Sequence, residues 1–165
     1  MADYANDGDD VYIFDGKKYI VGKNAVVNAA ATRGFNFLIK YSALLIYHSI
    51  KLAGLDTTKP IEVITALSII NWNEKEAFLD AIKTINVNNE IIEPKITLFA
   101  QGEGAYSDAG KGGGITAIVD VGYNTFDFLV FESEKNENFG KPRPDISFAT
   151  KNGANKIITE LQNQI

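Results

Sequence analysis

Two short stretches hold the residues best suited to chemistry. The first is Ile118-Val119-Asp120-Val121-Gly122-Tyr123-Asn124-Thr125-Phe126-Asp127-Phe128. An apolar strand delivers Asp120 to its end, a small polar turn follows, and the chain returns directly as a second strand. Such a turn offers backbone N–H groups and hydroxyl donors to an anion with little Cβ obstruction. A carboxylate at the strand end is placed to hold a hydrated Mg²⁺ that bridges phosphates. The second stretch is Phe99-Ala100-Gln101-Gly102-Glu103-Gly104-Ala105-Tyr106. Here a strand ends in a polar residue and small residues lead into a helix. If the two strands are neighbours, Gln101 and Asp120 reach one cleft, where a glutamine can orient water for attack on a phosphate. Both stretches also suit plainer roles. Asp, Gly and Asn form ordinary hairpin turns, and glycines at a helix start permit close packing.

The elements that must position these residues read as a mixture of strands and helices, the α/β class. Residues 11–14 and 18–21 are β-rich and flank Asp15-Gly16, a tight-turn pair. Residues 25–31 are small and apolar, a short helix or a loop against the core. Apolar residues recur at helical spacing over residues 35–53, with Thr32 as a cap and Gly54 as the stop. Residues 61–67 read as a buried strand. A helix over 74–85 follows, capped by Asn71 or Asn73, the latter making a capping box with Glu76. Residues 86–90 read as a polar turn, and 91–99 as a strand interrupted at Pro94. Residues 102–109 form a short helix, 110–114 a flexible connector, and 115–121 with 126–131 two strong strands. Residues 132–145 read as a polar loop and 146–149 as a third strand. A last helix covers about 153–161, capped by Thr150 or Asn152.

Composition narrows the function. The 165 residues suit about one domain, since single cores span roughly 100–200 residues. The formal charge of −5 and the scattered 16 Lys and Arg argue against direct nucleic-acid binding. The absence of cysteine excludes disulfides, thiolate metal sites and cysteine nucleophiles. The single histidine, His48, excludes multi-histidine metal sites and reads as a satisfied core or boundary residue. The apolar stretch 43–55 contains His48 and Lys51 and is too short to span a bilayer, so no membrane association is expected. No secretory signal is visible, and a cytoplasmic protein is the simplest expectation. Residues 110–114 do not make a P-loop, because no Ser or Thr follows Lys111 and the glycines precede a strand.

The segment 119–127 resembles the second phosphate motif of the actin/chaperone/sugar-kinase ATPase superfamily: a strand, Asp-x-Gly, a small polar turn, Thr and a second Asp. Gln101-Gly102-Glu103-Gly104-Ala105-Tyr106-Ser107-Asp108 is similar to the Gln-Gly-x-Gly-Ala segment of bacterial actin-like proteins of the plasmid-segregation (ParM/StbA) kind. Arg33-Gly34-Phe35-Asn36-Phe37-Leu38-Ile39-Lys40-Tyr41 and the hairpin Phe14-Asp15-Gly16-Lys17-Lys18-Tyr19-Ile20-Val21-Gly22 also resemble that group. The resemblance covers about residues 11–161. It implies an incomplete ribonuclease H-like, actin-like ATPase fold: a leader at 1–10, part of a first lobe at 11–98, and the start of a second lobe at 99–165.

The resemblance also implies binding of ATP with Mg²⁺ in a cytoskeletal or plasmid-segregation protein. Self-association into filaments and an adaptor protein are the partners it implies. Asp120 would be the metal aspartate, and Gly122, Tyr123, Asn124 and Thr125 the phosphate turn. Gln101 would position the water, with Glu103 as a substitute, and Asp127 would brace the turn. The resemblance has departures: no Asp-x-Gly hairpin precedes Val11, no adenosine motif appears before Ile165, and bulky Tyr123 replaces a small turn residue. Weak or absent ATP turnover is therefore expected of the isolated chain. A non-catalytic assembly module with the same fold is the alternative, and a sugar kinase or chaperone fragment a further one.

Overall fold

The structure is a computed structural model that describes residues 11–22, 25, 34–109, 113–134 and 140–163. The expectations for residues 1–10, most of 25–31, Thr32, Arg33 and the first part of the 110–114 connector lie outside the described residues. The chain forms two compact units that alternate along the sequence. One takes residues up to Val63 together with Glu76–Ile96, and the other takes Ile64–Lys75 and everything from Thr97 onward.

In the first unit, β1 (Val11–Phe14) and β2 (Lys17–Ile20) form the antiparallel hairpin expected around Asp15-Gly16. The helix α1 (Phe35–Leu52) ends as the sequence suggests: Ala53 is its C-cap, and the Gly54 N–H returns to the Lys51 carbonyl. Its buried residues Leu44, Tyr47 and Ile50 meet Tyr12, Ile85, Val87 and Ile92 in the core of this unit. His48 is buried and hydrogen-bonded to the Tyr12 hydroxyl through Nδ1 at 2.9 Å. The satisfied reading of His48 therefore stands.

The expected helix over 74–85 is shorter and begins differently. Ser68, not Asn71 or Asn73, caps this segment by accepting the Ile70 N–H, and a 3₁₀ helix (Ile69–Glu74) runs into α2 (Lys75–Ile82). Ile85 belongs to β4 (Ile85–Val87), which pairs with β5 (Glu90–Ile92). The turn is therefore Asn88-Asn89, both with positive φ, and Asn86 lies in a strand. Alternation drives this outcome, because Ile85 and Val87 both point into the core and have no exposure.

The strand β3 (Glu62–Leu67) pairs with β6 (Lys95–Ala100). The Lys95 N–H donates to the Ile61 carbonyl and the Gln101 N–H to the Leu67 carbonyl, so the two run parallel. The expectation of a fully buried β3 is corrected: it alternates, and Ile64 is 71% exposed.

In the second unit, α3 (Glu103–Ala109) precedes β7 (Gly114–Val121) and β8 (Phe126–Ser133). The sheet order is β10–β8–β7, where β10 is Phe148–Thr150, and β9 (Lys141–Pro142) also pairs with β8. The expected polar loop 132–145 thus has strand at both its ends. The Arg143 guanidinium stabilises that return by bonding Glu132 and Asp145 at 2.9 and 2.7 Å. The last helix, α4, covers Ala154–Gln162. Its N-cap is Gly153 without a side-chain cap, so neither Thr150 nor Asn152 has the expected role.

Candidate nucleotide site

The β7–β8 register fixes which side chains can cooperate. Asp120 lies directly opposite Asp127, with Ile118 opposite Leu129 and Thr116 opposite Phe131. Directly opposed residues share a face, so both carboxylates stand on the face that also carries Ile118, Leu129 and Phe131. Those three residues form a small core with Tyr106 and Ile69.

The ends of two parallel strands deliver polar partners to these carboxylates. Gln101 follows β6, and its Nε2 donates to Asp120 Oδ2 at 2.7 Å. Ser68 follows β3, and its hydroxyl donates to Asp127 Oδ1 at 2.5 Å. Gly102 makes the first contact feasible. Its φ is +96°, and a Cβ there would lie 2.5 Å from Leu129 Cδ1, so only glycine lets this turn press onto the β7–β8 sheet.

The turn itself is closed by the Gly122 N–H donating to the Thr125 carbonyl at 2.9 Å. Tyr123 is 52% exposed, and its side chain is directed outward. Glu103 goes elsewhere: its Oε2 accepts the Ala100 N–H at 3.2 Å, which ties its carboxylate to the end of β6. Asp127 is fully buried, and its Oδ2 has no hydrogen-bond partner. The structure thus brings Gln101, Asp120 and Asp127 to one face beside the turn 122–125, and ties the Glu103 carboxylate to the end of β6.

Ser68 was missed in the sequence reading, although its position at the carboxyl end of a strand matches that of Gln101. In open α/β sheets polar residues at strand ends converge on ligands. Two open cavities of about 290 and 380 Å³ lie in the same unit. The first is lined by Ile64, Phe99 and Tyr106, the second by Trp72, Leu129 and Pro142, and both by Glu103 and Phe131. Neither is lined by Gln101, Asp120 or the turn.

No protein-family model and no curated protein matches the sequence. Solved structures do match. An archaeal actin homologue in complex with ADP superposes with a TM-score of 0.65 at 22% identity, over 94% of this chain and 54% of that one. The chain has part of the actin-like fold. A non-polymerisable quadruple mutant of pCBH ParM gives a TM-score of 0.65 at 20% identity, over 90% of this chain and 52% of that one. An AlfA filament bound to AMPPNP gives 0.56 at 19% identity, over 94% of this chain and 62% of that one. This actin-like chain therefore spans about half the length of the structures it matches. Among its described residues, no helix is long and apolar enough to cross a membrane.

Proposed function

We propose that this chain is the part of an actin-like, filament-forming ATPase that carries the second phosphate turn. The observation that supports the reading best is the 2.7 Å contact of Gln101 with Asp120 beside the turn 122–125. Two residues from separate strands, each suited to phosphate chemistry, meet at a strand end.

The donor set fits a Mg²⁺ that keeps most of its water. Asp120 supplies one carboxylate, and no group of three or more His, Cys, Asp or Glu close enough to cage a metal occurs among the described residues. When bound, Mg²⁺–ATP supplies the electrophilic phosphorus and neutralises charge on the phosphates. Asp120 would hold the hydrated ion, and the backbone of Gly122, Tyr123, Asn124 and Thr125 would receive phosphate oxygens. Gln101 would orient the attacking water from its place beside Asp120. Asp127 braces Asp120's strand from the opposite position with Ser68. The matched structures include filaments of ParM, AlfA and Alp12, which supports self-association of a cytoskeletal or plasmid-segregation kind.

Titration with Mg²⁺–ADP, followed by amide NMR, tests the reading. Shifts are expected at Gln101 and residues 120–125, and Asp120→Ala should weaken binding about tenfold or more through loss of the metal's carboxylate. Shifts confined to residues remote from this turn sink it. Sedimentation with and without nucleotide separates an ATP-dependent filament protein from an assembly module that associates regardless of nucleotide.

A further inference from the structure

The start of α4 is joined to the turn 122–125 by its backbone. The Ala154 N–H donates to the Gly122 carbonyl at 3.0 Å, the Asn155 N–H to the Tyr123 carbonyl at 3.0 Å, and the Gly153 N–H to the Asn124 carbonyl at 3.4 Å. The Asn155 side-chain amide also reaches Asn124 Oδ1 at 3.4 Å. A helix normally needs side chains or water for its first amides; here the turn carbonyls take that place. The approach is so close that a Cβ on Gly153 would lie 2.5 Å from the Gly122 oxygen, 2.6 Å from the Tyr123 oxygen and 2.7 Å from the Asn124 carbonyl carbon.

This contact has a geometric consequence. In a planar trans peptide the C=O of one residue and the N–H of the next point in opposite directions. Drawing the carbonyls of Gly122, Tyr123 and Asn124 toward α4 therefore turns the N–H groups of Tyr123, Asn124 and Thr125 away from it, as one consecutive set. Successive amides aimed to one side make an anion-binding concavity.

We infer that the N-terminus of α4 is the template that sets the phosphate turn. Gly153 and the Ala154 amide are its positioning groups, and occupancy of the turn is felt at the first residues of α4. The inference rests on the nucleotide reading above. Gly153 touches no phosphate in this scheme; it acts through the orientation of three peptide planes. The linkage is reciprocal, because an anion that fixes those planes also strengthens the bonds that α4 makes to their carbonyls.

Two variants and one exchange measurement test it. Gly153→Ala forces a methyl group against the turn carbonyls and should weaken Mg²⁺–ADP binding about tenfold. Ala154→Pro removes the N–H that bonds Gly122 and sets the proline ring against the Gly122 oxygen, so it breaks the same contact from the helix side, after a residue already in the extended conformation. It should lose affinity about tenfold, with far-UV circular dichroism showing that the fold is retained. In the wild-type chain, saturating Mg²⁺–ADP should slow hydrogen exchange at Ala154 and Asn155 more than elsewhere in α4. If the wild-type chain shows no Mg²⁺–ADP effect at 122–125, the nucleotide reading fails and this inference with it. If the wild-type chain binds there but a folded Ala154→Pro binds equally well, or Ala154 and Asn155 exchange at unchanged rates, only the template role is overturned.

Discussion

In the first unit α1 lies against β4, and Ile85 and Val87 are sealed completely. Tyr12 packs edge-on to Tyr47 at 5.5 Å, and Tyr47 in turn donates to Glu90 at 2.6 Å. In the second unit the β10–β8–β7 sheet is closed on one face by Tyr106, Leu129 and Phe131, with Tyr106 stacked on Phe131 at 4.5 Å. Its other face carries Ile115, Val119, Val121 and Phe148, all exposed. The register makes these one continuous apolar ladder, with Phe148 opposite Phe128 and Phe128 opposite Val119. The two carboxylates of the candidate site stand on the closed face. The difference teaches that the first unit spends its apolar residues on a sealed core, whereas the second uses one sheet face to hold buried polar groups in register. Asp127 illustrates the point: a fully buried carboxylate needs fixed donors, and Ser68 is one.

The largest test of that contrast is Ile85→Ala. It removes a fully buried side chain from a closed core and should cost about 3 kcal/mol, read as a lower urea midpoint. A loss far below 1 kcal/mol, a figure of about the size expected at an exposed site, would break the comparison.

A middle-sized effect is expected at Glu90. Lys51 at 2.8 Å, the Thr57 hydroxyl and the Tyr47 hydroxyl hold its carboxylate down from the usual range to about 2. The folded value lies below the unfolded one, so this group stabilises the fold above about pH 4.3, the unfolded glutamate value. That stabilisation is lost as the pH falls toward 2. Glu90→Gln should cost about 1 kcal/mol at pH 7, since the site is partly open to solvent, and should flatten the acid limb of the stability profile. An unchanged acid limb in the variant would show that Glu90 is not the group responsible.

Val119→Thr should have the smallest effect, within about 0.5 kcal/mol by thermal unfolding, because the side chain is 56% exposed and threonine keeps the β-branch. A large loss there would mean that the open face of the sheet is covered in solution.

Legibility in the sequence followed the range of the interactions. The hairpin at 11–20 was readable because Asp15-Gly16 is a local turn signal between β-rich runs. The helix α1 was readable because its apolar period persists over five turns and Gly54 ends it. The hairpin β7–β8 and the strand-end positions of Gln101 and Asp120 were readable from the apolar runs that end in polar residues. The hairpin β4–β5 was not, since Ile82 and Ile85 are three residues apart and fit a helical period as well as the start of a strand. The switch came from tertiary burial of Ile85 and Val87. The Ser68 cap was hidden because Asn71 and Asn73 offer equally good local capping chemistry.

The sequence by itself determined the class of elements, the strand–Asp–turn–strand hairpin and the residue types gathered near it, because these depend on backbone preferences and side-chain periods within a few residues. Only the tertiary structure decided that Gln101 bonds Asp120, that Ser68 bonds Asp127, and that Gly153 brings α4 against the turn. Each of these joins residues far apart in the chain. No local preference encodes such a meeting; it exists only when packing of the whole unit offsets the entropy of bringing the partners together.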